Sequence, residues 1–173
     1  MSPPSLYTVK SIIILDSDGQ RIVGKYYDDQ FATIKEQKDF EKSLFAKTHK
    51  VNGEIVMLDN MTIVYKNNLD LFYYVVGSTS QNEIMLGSVL TCLFDSLNQI
   101  FRKNLDRKSL LDNLESAFLT VDEICMHGIL LETDPHQVAV RVSLKENEVP
   151  LAEQSVMDVV KSARDQLKWS ILR

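Results

Sequence analysis

Glycine, proline and cysteine are scarce in the sequence, and their scarcity excludes several classes of protein. There are 6 glycines, 4 prolines and 2 cysteines among 173 residues. This composition excludes collagen-like and low-complexity chains, and two cysteines cannot form a disulfide framework. Cys92 and Cys125 lie in segments with a helical apolar pattern, so we expect two buried free thiols in a reducing compartment. The 45% hydrophobic and 25% charged residues are typical of one globular domain.

A surplus of basic charge and long apolar runs are also lacking. The chain has 19 Lys and Arg against 24 Asp and Glu, a net charge of -5, which argues against nucleic-acid binding. No apolar run reaches the ~18 residues of a membrane-spanning helix. The segment "MSPPSLYTVK" has no signal-peptide pattern, and Ser2 excludes myristoylation. We therefore expect a cytosolic protein that reaches a membrane only through other proteins.

Apolar periodicity predicts five strands. Alternation with a period of two predicts strands in "LYTVKSIIIL" and "RIVGKYY", and three more in "EIVML", "MTIVYK" and "DLFYYVVG". Asp59-Asn60 and Asn67-Asn68 predict tight turns between the last three strands. "DLFYYVVG" is apolar on both faces, as in a central strand. "RIVGKYY" and "EIVML" are expected near the sheet edges, where Lys25 would guard an open edge.

Helices are predicted after the second strand and throughout the second half. Thr33 with Glu36 predicts a capping box for the first helix, and Ser80 with Glu83 predicts another for the second. The third helix follows Asp106, and its apolar positions are Leu110, Leu114, Ala117, Val121 and Cys125, with Gly128 as the residue that ends it.

The signals conflict between Ile129 and Leu144. There "GILLETD" has an extended pattern, whereas Pro135 would open a short helix. The segment "KENEVP" has the pattern of a connector. Residues 1–145 are therefore predicted to form one domain, and residues 146–173 a connector and a C-terminal helix. The apolar stripe of that helix comprises Val156, Val160, Ala163, Leu167 and Ile171.

The segment Asp16-Ser17-Asp18-Gly19 raises the question of catalysis. A strand that ends in D-x-D-G presents the nucleophile in haloacid dehalogenase phosphatases, and the same letters occur in EF-hand loops. The phosphatase strand leads towards a helix, however, whereas here a second strand follows at once. In the EF-hand register, Ile14 and Lys25 would occupy positions where calcium needs carboxylates. Asp18-Gly19 is a common hairpin pair, so we predict a turn.

No other pattern predicts catalysis, a metal or a cofactor. His49, His127 and His136 are scattered without H-E-x-x-H spacing, and Cys125-Met126-His127 is a poor zinc motif. The sequence has no glycine-rich phosphate loop and no G-x-S-x-G elbow. It therefore predicts a protein that is not an enzyme.

The element order and several strings carry a resemblance to a known family. Two strands, a helix, three strands and two long helices are the pattern of longin-type domains. Nearly the whole chain also resembles the zeta subunits of coatomer, the coat of COPI vesicles. The resembling strings, in order, are "PSLYTVKSIIILDSDG", "KYYDD", "KEQKDFEKSLFAKTHK", "EIVMLDNMTIVYK", "NEIMLGSVLTCLFDSLNQIFRKN", "FLTVDEI", "GILLETDP", and "EQSV" through "QLKWSILR".

The resemblance implies both a fold and a function. The implied fold is α+β, longin-like, with a five-stranded antiparallel sheet, one helix on one face and two on the other. The implied function is that of a non-enzymatic coat subunit in retrograde Golgi-to-ER and intra-Golgi transport. Its direct partner would be the large gamma subunit, with the beta and delta subunits nearby and an Arf-type GTPase recruiting the coat to Golgi membranes. No cofactor is implied.

Three regions are predicted to contact a partner. In the first helix, the charged residues form a solvated face or an interface rim; they are Lys35, Glu36, Lys38, Asp39, Glu41 and Lys42, of which Lys35, Asp39 and Lys42 are the predicted contacts. In the terminal helix, Trp169 and Leu172 lie off the apolar stripe, where they either contact a partner or pack on their own domain.

The third region is implied by the resemblance to adaptor small chains. In those chains, the ends of the second and third helices form an apolar pocket for dileucine sorting signals. Asn104, Leu105 and Leu110 match such a pocket and are predicted partner contacts. Asp95 would place a carboxylate against leucine side chains, so direct dileucine binding is not expected.

Two other functions fit parts of the sequence. A small chain of another adaptor, or a longin module of a different trafficking complex, fits the element order. We expect a SNARE to continue into a coiled coil and an anchor, and a sigma chain to lack Asp95 and the terminal helix. A phosphatase built on Asp16 and Asp18 would hydrolyse phosphate esters with magnesium and lose this activity in Asp16→Asn.

Overall fold

A computed structural model of the protein describes residues 8–51, 54–102 and 104–147. Its centre is a five-stranded antiparallel sheet in the order β2-β1-β5-β4-β3. The strands are β1 (Ser11–Asp16), β2 (Arg21–Tyr26), β3 (Ile55–Leu58), β4 (Met61–Asn68) and β5 (Leu71–Ser78). The predicted positions of the central strand and of the two edge strands are confirmed. The doubly apolar β5 lies in the middle because both of its faces are covered.

A short 3-10 helix (Asp29–Phe31) follows β2, and the α-helices of the described residues lie on both faces of the sheet. They are α1 (Ile34–Thr48), α2 (Glu83–Ile100), α3 (Arg107–Asp112), α4 (Leu114–Ile124) and α5 (Pro135–Asn147). Ile13 and Leu15 of β1 pack with Phe40 and Leu44 of α1 in one core cluster. The alternate residues of the strands pack against α2 to α5 in a second cluster. The predicted layers are therefore confirmed.

The start of α1 was predicted correctly, whereas the start of α2 was not. Thr33 caps α1 in a reciprocal capping box with Glu36. The cap of α2 is Asn82, whose side chain accepts a hydrogen bond from the Ile84 amide at 2.9 Å. The Ser80 hydroxyl instead bonds that of Ser78. The capping-box prediction at Ser80 was wrong because asparagine, an equally good cap, lies directly before the helix.

The third predicted helix is two helices followed by a hairpin. The chain breaks at Asn113, where φ is -128° and ψ is 46°. Cys125 is extended and opens the hairpin of β6 (Cys125–Met126) and β7 (Ile129–Leu130). His127 and Gly128 both have positive φ in its turn, as a two-residue hairpin requires. The prediction that Gly128 ends a helix was therefore wrong.

Both conflicting signals after residue 128 are present in the structure. The extended pattern contains β7, and Pro135 opens α5, whose Val138 and Val142 are buried in the core. The compact unit extends to Val142. Glu146 and Asn147, predicted as the start of the connector, belong to α5 instead. The rest of the predicted connector and the predicted terminal helix lie outside the described residues, so the domain boundary at residue 145 stays a prediction. In the described part of the chain, no helix is both long enough and apolar enough to span a bilayer.

Candidate partner-binding surfaces

The Asp16 carboxylate is used entirely for structure. Its Oδ1 accepts hydrogen bonds from the amides of Asp18 and Gln20 at 2.9 and 2.8 Å. Its Oδ2 accepts a charged hydrogen bond from Arg107 Nε at 3.0 Å, and the side chain is 2% exposed. Gly19 has a φ of 74°, so the predicted turn is confirmed. A nucleophilic aspartate needs a free oxygen facing substrate, and Asp16 presents none.

The next candidates for chemistry among the described residues are a metal cluster and the two thiols. In the part of the chain that is described, no three His, Cys, Asp or Glu residues are grouped to hold a metal ion. Cys92 and Cys125 are free and buried, as predicted. Burial raises the pKa of the Cys125 thiol to about 11. A thiol with so high a pKa is a poor nucleophile near neutral pH.

The charged face of α1 is only partly a solvated face. Lys35, Asp39 and Lys42 are exposed, as an interface rim requires. Glu41 is 3% exposed, and it accepts hydrogen bonds from Arg21 at 2.7 Å and from the Tyr26 hydroxyl at 2.9 Å. The interpretation of Glu41 as a solvated charge was therefore wrong. The sequence signal was weak because the partners of Glu41 come from β2, about 20 residues earlier.

The predicted pocket between the second and third helices is filled by its own residues. Leu105 and Leu110 are 1% and 0% exposed and belong to the larger core cluster. They are core residues in this structure rather than surface residues. Asn104 is exposed, and its side chain bonds Ser109. Asp95 lines a separate depression of about 550 Å³ with Asn98, Gln99, Arg102 and Pro135.

Lys25 does not guard an open edge. Its ammonium forms an ion pair with Asp122 of α4 at 2.9 Å and lies 5.6 Å from the centre of the Phe118 ring. The prediction placed Lys25 correctly on edge strand β2, but its side chain links that strand to α4. Trp169 and Leu172 lie outside the described residues, so contact with a partner stays a prediction for both.

Sequence reasoning missed a groove between α2 and the other edge of the sheet. We name it the β3–α2 groove; its volume is about 630 Å³ and its lining includes Glu54, Ile55, Val64, Glu83, Ile84 and Leu90. Ile55 is 50% exposed and Ile84 is 81% exposed. The available signal was the strand "IVML", which is wholly apolar although it forms an edge.

Comparison with known proteins identifies the family. The model of the clathrin adaptor complex small chain family matches residues 8–149. The chain is 55% identical to coatomer subunit zeta-1 of Homo sapiens over 170 residues, which cover 98% of this chain and 96% of the human protein. The chain belongs to the coatomer zeta family. The zeta family resemblance predicted from the sequence is thereby confirmed.

The chain is also similar to more distant proteins. The chain is 40% identical to coatomer subunit zeta-1 of Arabidopsis thaliana, over 95% of this chain and 97% of the plant protein. A chain in a homology model of the full-length AP-3 complex superimposes with a TM-score of 0.65 at 16% identity, covering 87% of this chain and 98% of that one. This structural likeness supports the fold alone, and it agrees with the predicted longin-like architecture.

Proposed function

We propose that the chain is the small zeta-type subunit of the COPI vesicle coat and that it works through protein contacts without catalysis. The observation that carries this proposal is the 55% identity to a human coatomer zeta subunit along 98% of the chain. The internal use of both Asp16 oxygens supports a structural role for the acidic turn.

The proposed partners follow from the place of a zeta subunit in the coat. The large gamma subunit binds the chain directly, and the beta and delta subunits complete the adaptor-like part of the coat. An Arf-type GTPase brings the assembled coat to the cytosolic face of Golgi membranes. The chain acts in Golgi-to-ER and intra-Golgi transport and touches the membrane only through the coat.

The surface of the described domain favours a large interface. Among the described residues, no further strand pairs with the outer edges of β2 and β3. Exposed apolar side chains include Ile55, Met57 and Ile84. A permanent complex that covered such surfaces would bury more than about 2,000 Å². The exposed α1 residues Lys35, Asp39 and Lys42, together with Asn104, Trp169 and Leu172, are proposed for the rim of partner contacts.

Co-expression with the gamma subunit tests the proposal directly. A tagged copy of the chain is produced together with coatomer gamma, and in parallel with the large chain of a clathrin adaptor. We expect an equimolar complex with gamma that survives gel filtration, and none with the adaptor chain. A folded chain that binds the adaptor chain and leaves gamma unbound would contradict the proposed function.

A further inference from the structure

We propose that the β3–α2 groove takes up an amphipathic helix of the large coat subunit, with the helix placing Lys or Arg beside its apolar face. This inference rests on the proposed function, because it names the surface through which the small subunit binds the large one. Four observations lead to it: an apolar centre, an edge strand without charges, an acidic border and a glycine on the helix wall.

The centre of the groove is apolar and accessible. Val64 and Leu90 are nearly buried, whereas Ile55 and Ile84 are 50% and 81% exposed. Met57 is 62% exposed and continues the apolar surface along β3. Contiguous exposed apolar residues with a charged border mark interaction sites on soluble proteins. A partner that places apolar side chains in the groove removes its own apolar surface and that of the groove from water.

The edge strand β3, Ile55–Leu58, is four residues long, and it lacks the charges and prolines that usually protect sheet edges. The Glu54 carbonyl bonds the Tyr65 amide, so by alternation only Ile55 and Met57 point their main-chain groups outwards. An edge with two such residues offers few hydrogen bonds to an added strand. A helix that docks its side chains against both β3 and α2 covers more apolar surface than a strand added to the edge of β3 would.

The charges on the border of the groove determine which kind of partner surface is complementary to it. Glu54 and Glu83 are exposed on its border. Lys66 also lines the groove, but its ammonium lies 3.9 Å from the centre of the Phe94 ring, where the ring attracts it. A second copy of the chain would bring acidic borders together, which is repulsive. A helix with basic residues beside its apolar face complements the border.

Gly87 gives an independent indication that another chain approaches α2. It lies inside the helix and on the groove wall. A methyl group added at Gly87 would meet no described residue beyond its own helix within 4 Å. Glycine inside a helix costs about 1 kcal/mol relative to alanine. No described contact requires this glycine, whereas close approach of a partner helix would.

The test measures the affinity of the purified chain for the large subunit with variants of matched exposure. Ile84→Asp places a charge at the centre of the groove. Leu69→Asp is its control, because Leu69 is also 81% exposed but lies in the β4–β5 turn. We expect Ile84→Asp to raise the Kd at least about tenfold, as for a central contact. Leu69→Asp should stay within about twofold of wild type, as expected for a residue outside the interface.

Two further variants test the border and the glycine. Glu83→Lys should weaken binding several-fold, whereas Glu115→Lys, in the first turn of α4, should not. Gly87→Leu should fill the groove and weaken binding at least about tenfold while the isolated chain remains as stable as wild type to heat. Thermal unfolding of every variant separates loss of binding from loss of fold.

The outcomes distinguish this inference from the proposed function. If wild type fails to bind the large subunit, the proposed function fails and the groove assignment fails with it. If wild type binds and folded Ile84→Asp and Gly87→Leu bind equally well, the groove assignment is overturned while the proposed function stands. Self-association of wild type that Ile84→Asp abolishes would assign the groove to a second copy and also overturn the inference.

Discussion

At the residue scale, the Asp16 carboxylate connects three parts of the chain. It ends β1, accepts two amide hydrogen bonds within the β1–β2 turn, and pairs with Arg107 at the start of α3. The Arg107 amide in turn donates to the Asp70 carboxylate beside β5. A carboxylate that accepts several hydrogen bonds is held in one orientation. The acidic turn therefore anchors the second half of the chain to the sheet.

Removal of this carboxylate should destabilise the fold. Asp16→Ala removes the buried acceptor of the Asp18 and Gln20 amides and the ion-pair partner of Arg107, so we expect a loss of about 2 kcal/mol in the free energy of unfolding. Urea unfolding measures this difference. The exposed Asp18 is the control, and Asp18→Ala should change stability by less than about 0.5 kcal/mol. Equal stability of Asp16→Ala and wild type would contradict the anchoring role.

At the element scale, the helix starts show how local sequence selects a cap. Thr33 and Glu36 exchange two hydrogen bonds at the start of α1. Asn82 caps α2 alone, through its bond to the Ile84 amide. Both arrangements satisfy amides that the first helical turn leaves without partners. They differ in pH dependence, because only the capping box of α1 contains an ionisable side chain.

Mutation can distinguish the observed α2 cap, Asn82, from the cap predicted from the sequence, Ser80. Asn82→Ala removes the observed cap and should lower the free energy of unfolding by about 1 kcal/mol. Ser80→Ala removes only a bond to the Ser78 hydroxyl on an exposed segment, so its effect should stay below about 0.5 kcal/mol. Thermal or urea unfolding measures both. A larger loss in Ser80→Ala than in Asn82→Ala would restore the capping box predicted from the sequence.

The α1 capping box should make stability depend on pH. The Thr33 backbone amide and then its side chain lower the pKa of Glu36 from its ordinary 4.5. A carboxylate with a depressed folded pKa stabilises the fold above its unfolded pKa, and this contribution is lost as pH falls through the folded pKa. The stability advantage of wild type over Glu36→Gln should thus shrink as pH falls below about 4.5. Urea unfolding from pH 7 to pH 3 measures it, and a constant difference would contradict the prediction.

At the scale of the whole molecule, one sheet separates two apolar clusters that share its strands. Ile12 and Ile14 belong to the larger cluster, and Ile13 and Leu15 to the smaller one. Neither cluster exists without β1, β4 and β5. We therefore expect both clusters to be lost in a single cooperative transition.

Truncation of one leucine in each cluster tests this coupling. Leu44→Ala and Leu110→Ala remove fully buried side chains on opposite faces of the sheet. Each should cost about 2–5 kcal/mol and lower the midpoint of the same transition. Leu111→Ala is the control, because Leu111 is 42% exposed, and it should cost less than about 1 kcal/mol. Two separate transitions in either variant would show that the clusters unfold independently.

The sequence alone determined the strands, their central and edge positions, the α1 cap and the family. These follow from contacts between near neighbours along the chain: strand alternation has a period of two, and a cap reaches three residues. Resemblance to the zeta family, in turn, depends on residue identities, which need no coordinates.

Only the tertiary structure decided which charged and apolar residues are exposed. Glu41 is buried because Arg21 and Tyr26 reach it from β2, and Leu105 is buried because the helices close over it. Ile84 is as apolar as Leu105, yet it stays 81% exposed on the wall of the β3–α2 groove. Burial depends on residues that are distant in sequence, and periodicity within one segment does not encode those distances.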